Sequence, residues 1–329
     1  MILGEMEITP LAAESMGVRS LCTQVTTPDL SIVLDPSAAL SKRYRLEPHP
    51  LEYELLLRFL ESIFVSAKKA DLLSVSHYHY DHVRPGFTDF MYTHGSREEL
   101  QRMFEGKTVL AKDARSDINH SQKRRAYSFQ KDLDGIVGEI RWADGQSWSF
   151  GDTLVTYSQP LPHGPESTFL GYVIATVISH GGKKVLFAPD VQGPVAQQAL
   201  EYCLSSRADL AIIGGPPIYL SRFEEGDRTS ALLAITELAS QIPTLVVDHH
   251  LLRSTHWESW LSPAIDVASE AGNKLITMAQ LAGLENRPLE AKREKLYVEY
   301  PPNEAFMNWT KATEEYKRKN KPPLSLDLN

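Results

Sequence analysis

Short apolar runs separated by turn residues open the chain. Glu7 to Leu11, Ser20 to Thr26 and Leu30 to Leu34 read as extended segments, the last closing at Asp35-Pro36, and this rhythm predicts an antiparallel meander. The period then lengthens. From Pro50 to Ala70 apolar residues recur at Leu51, Leu55, Phe59 and Ile63 among Glu, Arg and Lys, the spacing of a helix with a proline near its start. It feeds the continuous strand Leu72-Leu73-Ser74-Val75-Ser76.

Residues 83–144 are mixed and charged, with a helix at Ser96 to Phe104 and a basic stretch Lys123-Arg124-Arg125, and read as an insertion. A second strand series follows at Ile140 to Ala143, Trp148 to Phe150, Leu154 to Ser158, Gly171 to Ser179 and Lys184 to Ala188. Beyond Val195 helices and strands alternate, with strands at Leu210 to Ile213, Thr244 to Val247 and Lys274 to Thr277 and a helical segment at Ser230 to Ser240. Such alternation predicts a layered α/β fold. The polar, proline-punctuated stretch 284–329 reads as a C-terminal extension packed on the outside, with one helix at Asn303 to Lys317 and mobile last residues.

The 329 residues fit one large domain with insertions, and 42% hydrophobic with 23% charged residues is a globular composition. A net charge of -8 opposes an extended grip on nucleic acid, though not a local basic patch. Two distant cysteines, Cys22 and Cys203, provide no disulfide framework and suit a reducing compartment. The acidic start Met1 to Ser20 lacks the pattern of a signal peptide, and no apolar run approaches the ~20 residues needed to span a bilayer. A soluble cytoplasmic protein without membrane attachment is expected.

The densest chemistry is His77-Tyr78-His79-Tyr80-Asp81-His82, directly after a strand. Three imidazoles and a carboxylate in one short turn can converge on two adjacent cations, whereas burying them without partners is costly. The pattern His-x-His-x-Asp-His after a strand resembles the metallo-β-lactamase superfamily. The resemblance runs from about Ile32 to His250 and implies an αββα four-layer sandwich, two mixed sheets flanked by helices. It extends to a prokaryotic branch, through Ser76 to His82, Gly214-Gly215-Pro216-Pro217 and Asp248 to Arg253, to which it attaches no substrate.

By this resemblance His77, His79 and His163 hold one metal, Asp81, His82 and His249 hold the second, and Asp190 bridges them. His250 is the alternate to His249; on a continuing strand only one of the two neighbours would face the site. Asp35 and Asp248 are implied as carboxylates supporting the ligands. Ala188-Pro189-Asp190 replaces the commoner Gly-Asp ending, and Gly164 stands where a threonine is frequent.

Two divalent ions, zinc by default with iron or manganese as alternatives, would activate a bridging hydroxide oriented by Asp81. The bond attacked stays open between an ester, lactone or thioester and a phosphodiester of RNA, DNA or a nucleotide. For the second, Lys112, Arg115, Lys123, Arg124 and Arg125 offer phosphate contacts, although a solvated charged helix is the slightly favoured reading of that stretch, and Tyr219 after the Gly-Gly-Pro-Pro turn is a candidate for the pocket wall. A small-molecule or phosphate-ester substrate is expected, with nucleic acid possible but not favoured; the gap from Asp190 to His249 is too short for the extra domain many nucleases of the superfamily insert there, which argues against that subgroup and leaves other phosphodiesterases open. A metal-binding scaffold without turnover is the alternative of a different class.

Overall fold

A computed structural model describes residues 1–166 and 168–324, so the last five positions of the expected extension, and the mobility expected there, lie outside the described residues. Two seven-stranded sheets form its centre. The first takes its strands in chain order: β1 (Ile2–Leu3), β2 (Met6–Pro10), β3 (Thr23–Thr26), β4 (Ser31–Leu34), β5 (Leu72–Val75), β6 (Thr108–Ala111) and β7 (Glu139–Trp142). Pairing is antiparallel as far as β4, where connections are short, and parallel from β4 onward. Parallel neighbours need long crossovers, supplied by α1 (Pro50–Lys69), α2 (Arg97–Phe104) and α3 (His120–Leu133).

Helix α1 begins where the sequence places it. Pro50 occupies its first position, the His49 ring accepts from the Leu51 amide, and the Glu52 carboxylate accepts from the His49 amide at 2.8 Å. This reciprocal cap satisfies amides that the first helical turn leaves without partners.

The second sheet contains β8 (Ser147–Phe150), β9 (Thr153–Tyr157), β12 (Thr176–His180), β13 (Lys183–Ala188), β14 (Leu210–Gly214), β15 (Thr244–Asp248) and β16 (Lys274–Ile276), in the order β16-β15-β14-β13-β12-β9-β8. A separate pair, β10 (Leu161–Pro162) and β11 (Tyr172–Val173), sits beside it. Helices α4 (Gln197–Ser205), α5 (Glu225–Gln241) and α6 (Trp257–Glu270) follow strands of this half. Strand β14 shows how the layers are built. Leu210 and Ile212 join the cluster containing Ile8, Val25 and Ile32 of the first sheet, while Ala211 and Ile213 pack with Ile235 and Leu238 of α5. Alternation in a strand sends successive side chains to opposite faces, which yields a metallo-β-lactamase-type αββα sandwich of two mixed sheets flanked by helices.

Three expectations are corrected. Residues 83–144, read as an insertion, instead complete the first sheet with β6 and β7, because their apolar stretch Val109-Leu110-Ala111 is wholly buried between β5 and β7. The single strand expected from Gly171 to Ser179 breaks in two, since the Ile174 amide bonds the Ser76 carbonyl of the first sheet rather than continuing a ladder.

The C-terminal stretch is also not a purely external layer. Phe306 and Trp309 are buried edge-on against Tyr53, and Arg293, fully buried, forks onto Glu52 at 2.8 and 2.7 Å. Its expected helix is two, α9 (Glu304–Lys311) and α10 (Glu314–Lys319), after α7 (Met278–Leu281) and α8 (Arg293–Glu299); Thr313 caps the last. Among the described residues no helix is long and apolar enough to cross a membrane, and Cys22 and Cys203 are both buried and unpaired.

Candidate metal centre

Strand β5 ends at the turn carrying His77, His79, Asp81 and His82, where the amides of His82 and Val83 both bond the His79 carbonyl at 2.9 Å. Asp35, just past β4, organises this turn. Its carboxylate accepts from the Ser76 amide at 2.8 Å and the Ser76 hydroxyl at 2.7 Å, and lies 2.8 Å from His82 Nδ1. Ser76 Oγ in turn lies 2.9 Å from His77 Nδ1. One carboxylate thereby orients two rings and leaves the Nε2 atom of each for the centre.

The remaining residues arrive from the second half. His163 follows β10, Asp190 follows β13 and His249 follows β15. Strands β13, β14 and β15 are parallel, so their C-terminal ends share one edge, where α/β sheets place ligands. Asp35, Asp190 and His249 all have left-handed backbones, with φ of 50°, 52° and 66°. Each such residue costs on the order of 1–3 kcal/mol, which surrounding contacts hold in place. Gly214 is one reason the edge closes, because a Cβ there would stand 2.5 Å from the Asp190 amide nitrogen.

Asp190 occupies the middle. Its Oδ2 is 2.9 Å from His163 Nε2, 3.2 Å from His77 Nε2, 3.5 Å from His82 Nε2 and 3.9 Å from His79 Nδ1. Its Oδ1 is 3.1 Å from His249 Nε2 and 3.4 Å from His250 Nε2. Asp81 Oδ2 reaches His249 Nε2 at 3.5 Å, and that nitrogen faces His82 Nε2 at 3.2 Å. Among the described residues four groups have ligand atoms all within 4.8 Å of one another: His77, His79, His163 and Asp190; Asp81, His82 and His249; Asp190, His249 and His250; and Asp35, His77 and His82.

The donor set fits metal ions. Asp190 Oδ1 is buried without a hydrogen-bond partner, and ring nitrogens of His77, His79 and His163, and of His82 and His249, point at one another instead of at donors. Buried polar atoms without partners are costly, and cations between them would remove the cost.

Charge in the cluster follows its packing. Burial pulls the His82 imidazole down, but the Asp190, Asp35 and Asp81 carboxylates outweigh it and lift the group to about 9. Burial holds His77 well below the ordinary histidine range, assisted by the His82 charge. Burial pushes the other way on Asp190, yet the surrounding histidines, His249 and His82 foremost, keep it well below the usual carboxylate range. Such divergent neighbours are a mark of functional sites.

The structure brings together every residue expected as a ligand and adds His250. Strand β15 ends at Asp248 and a 3₁₀ turn, His249–Arg253, follows, so strand alternation does not apply and both imidazoles face Asp190. Asp248, expected to support a ligand side chain, is spent on backbone instead. Its carboxylate accepts from the amides of Ser15, His249 and Met278.

Of the basic residues proposed for phosphate, Lys112 is buried on Asp144 at 2.6 Å and Arg115 pairs with Asp113 at 2.7 Å. Arg125 and Tyr219 line the cavity above the histidines, whereas Arg124 is exposed and does not, because neighbours on a helix diverge by about 100°. Two residues went unforeseen. Arg253 joins Glu14 at 2.7 Å to His250 at 3.0 Å, and Gln192 stands 3.4 Å from His163 Nδ1. Arg253 closes the stretch Asp248 to Arg253 that the resemblance singles out, but with no role attached, and no motif marks Gln192.

Fold and cluster together define a protein of the metallo-β-lactamase fold with a histidine- and aspartate-lined metal-binding centre. The chain belongs to the UPF0282 family. It is 41% identical over 294 residues to the UPF0282 protein of Methanopyrus kandleri, covering 88% of this chain and 99% of that one, and 37% identical over 294 residues to that of Pyrococcus horikoshii, covering 89% and 93%. No family model matches. Among solved structures it is similar to the metallo-β-lactamase fold protein YhfI of Bacillus subtilis, with 17% identity, 83% and 95% of the two chains covered and a TM-score of 0.47. It is also similar to unliganded yeast PDE1, with 12% identity, 83% and 97% covered and a TM-score of 0.49.

Proposed function

We propose that this protein is a hydrolase with a two-cation centre, His77, His79, His163 and Asp190 holding one ion and Asp81, His82, His249 and Asp190 the other. The observation that carries this reading is Asp190. It is 1% exposed, one of its oxygens faces four imidazoles within 3.9 Å, and the other, without a hydrogen bond, faces His249 and His250. The nitrogen-rich set favours zinc, with iron or manganese as alternatives. When bound, the pair of cations supplies Lewis acidity, polarising the oxygen under attack and lowering the pKa of a water toward neutrality.

The chain's own groups do the positioning. Asp81 is the ligand carboxylate with 16% exposure, and it borders the cavity, so its oxygen can accept a hydrogen bond from the attacking water and orient it. Arg253 Nη1 donates to His250 Nδ1 at 3.0 Å, and a guanidinium has no acceptor. The His250 ring proton therefore sits on Nε2, which makes this imidazole a donor toward an oxygen gaining charge rather than a ligand. Arg253 Nη2 is farther from His249 Nδ1, at 3.4 Å, and His249 Nε2 is the nitrogen that converges with Asp81, His82 and Asp190.

The test is elemental analysis of the purified protein together with assays on ester and phosphodiester substrates. Near two equivalents of transition metal per chain and turnover abolished by His79→Ala are expected. Protein that binds no metal, or activity that survives the substitution, removes the proposal.

A further inference from the structure

A cavity of about 1280 Å³ opens over the histidine cluster, larger than the ~300–1,000 Å³ typical of small-ligand pockets. Although the chain carries a net charge of -8, Arg19, Lys42, Arg43, Arg125, Arg222 and Arg253 all line this space. Carboxylates account for four of the six, three of them at close range. Lys42 meets Glu47 at 2.8 Å, Arg19 forks onto Glu290 with two contacts of 2.6 Å, and Arg253 meets Glu14 at 2.7 Å.

Arg43 is the loosely paired one, and two guanidinium groups have no carboxylate partner among the described residues. Arg43 comes only to 3.4 Å from Glu290 Oε1, an oxygen that Arg19 already holds. Arg125 and Arg222 have no carboxylate within 4.0 Å among the described residues, and Arg222 shares its rim with Glu224 and Asp227. Arg43, which shares the Glu290 carboxylate with Arg19, and Arg125, which has no carboxylate partner, are the two held against aromatic rings. The Arg43 guanidinium lies 4.2 Å from the centre of the Tyr219 ring and 4.6 Å from that of Tyr44, and Arg125 stands 4.9 Å over Tyr80. Packing against an aromatic face leaves in-plane N–H donors available for a planar or tetrahedral oxyanion, beyond the one Arg43 gives Glu290 and the one Arg125 gives Tyr80.

Resting on the hydrolase reading above, we infer that the substrate is a small phosphodiester whose anionic phosphate is received by Arg43 and Arg125. A neutral ester or lactone offers these stacked cations no charge to pair with, whereas phosphate oxygens make the short charge-assisted bonds that arginine forks favour. The cavity leaves room for organic groups on both sides of the phosphorus, with Phe169, 96% exposed, standing at its rim. In the reaction the oxygen of one water bonds phosphorus and one ester P–O bond breaks. A proton from that water ends on the departing oxygen, giving a phosphomonoester and an alcohol with no change of oxidation state.

The experiment compares metal-loaded wild type with Arg43→Gln, Arg125→Gln and the double variant. Each single change should lower the ratio of kcat/KM on bis-p-nitrophenyl phosphate to that on p-nitrophenyl acetate roughly tenfold, the loss expected for one charge-assisted hydrogen bond. Calorimetric titration with inorganic phosphate supplies a readout that needs no turnover. The double variant should retain wild-type metal content and bind phosphate at least about tenfold more weakly. Equal phosphate affinity in the two proteins, or an unchanged substrate ratio, overturns the assignment of the anion site. Loss of metal or of all turnover in the wild type would instead count against the hydrolase reading, so the two failures are separable.

Discussion

Asp35 Oδ2 stands 2.8 Å from His82 Nδ1, although 47 residues separate them, and the same oxygen accepts from the Ser76 hydroxyl. The end of β4 therefore controls which nitrogen the end of β5 presents to Asp190. Asp35→Asn keeps the side-chain shape and tolerates the φ of 50°, but removes the charge that fixes the imidazole. Metal affinity should fall roughly 10–100-fold, the usual effect of such supporting carboxylates. Competition against a chelator of known affinity measures it, and unchanged affinity would show that Asp35 serves the turn alone.

His250 separates ligand from donor. His250→Ala should leave metal content at the wild-type value and reduce kcat by roughly 10²–10³, as removal of a single donor to a developing oxyanion does. His250→Gln places an amide N–H close to the former Nε2 and should recover part of the rate. A fall in metal stoichiometry in either variant would instead make His250 a ligand.

The buried pair Arg293–Glu52 anchors the C-terminal stretch to α1, with side-chain exposures of 0% and 1%. Arg293→Met leaves the Glu52 carboxylate buried without its cation and should cost about 3–5 kcal/mol. Replacing both partners, Arg293→Met with Glu52→Gln, which keeps a side-chain oxygen for the His49 amide, should restore much of that loss. Denaturant unfolding of the single and double variants reads the difference, and a double variant no better than the single would place the effect in packing rather than in the stranded charge.

Burial, with the Arg84 and Lys321 charges adding to it and Glu314 opposing, holds the His94 imidazole at about 4, below its ordinary 6.5. As pH falls, the unfolded chain takes up this proton before the folded one does. The contribution of neutral His94 is therefore complete above about pH 6.5 and is lost progressively as pH drops toward 4. His94→Asn suits the local φ of 49° and removes the proton uptake. Its unfolding midpoint should decline less steeply than that of wild type between these values, and parallel curves would exclude His94 as a contributor.

Residue order alone determined a good deal about this protein. Periods of two and near four are local consequences of strand and helix geometry, so the meander, α1 and the strands flanking the motif could be read from apolar spacing. The run from His77 to His82 placed four ionisable groups in one turn, a density hard to reconcile with anything but a bound cation.

Other features were decided only in three dimensions. The 83–144 stretch looked like an insertion because its strands are short and its surroundings charged, and only pairing with β5 shows that it completes a sheet. His163, Asp190 and His249 carry no local signal by themselves. The parallel register of β13, β14 and β15, and the absence of a side chain at Gly214, bring Asp190 and His249 to one edge. The pairings of Arg253 with Glu14 and of Arg19 with Glu290 join residues 239 and 271 positions apart. Such partners are selected by the packing of distant segments, which one-dimensional spacing does not encode; the sequence supplied the ligand types, and the tertiary structure supplied the point where they meet.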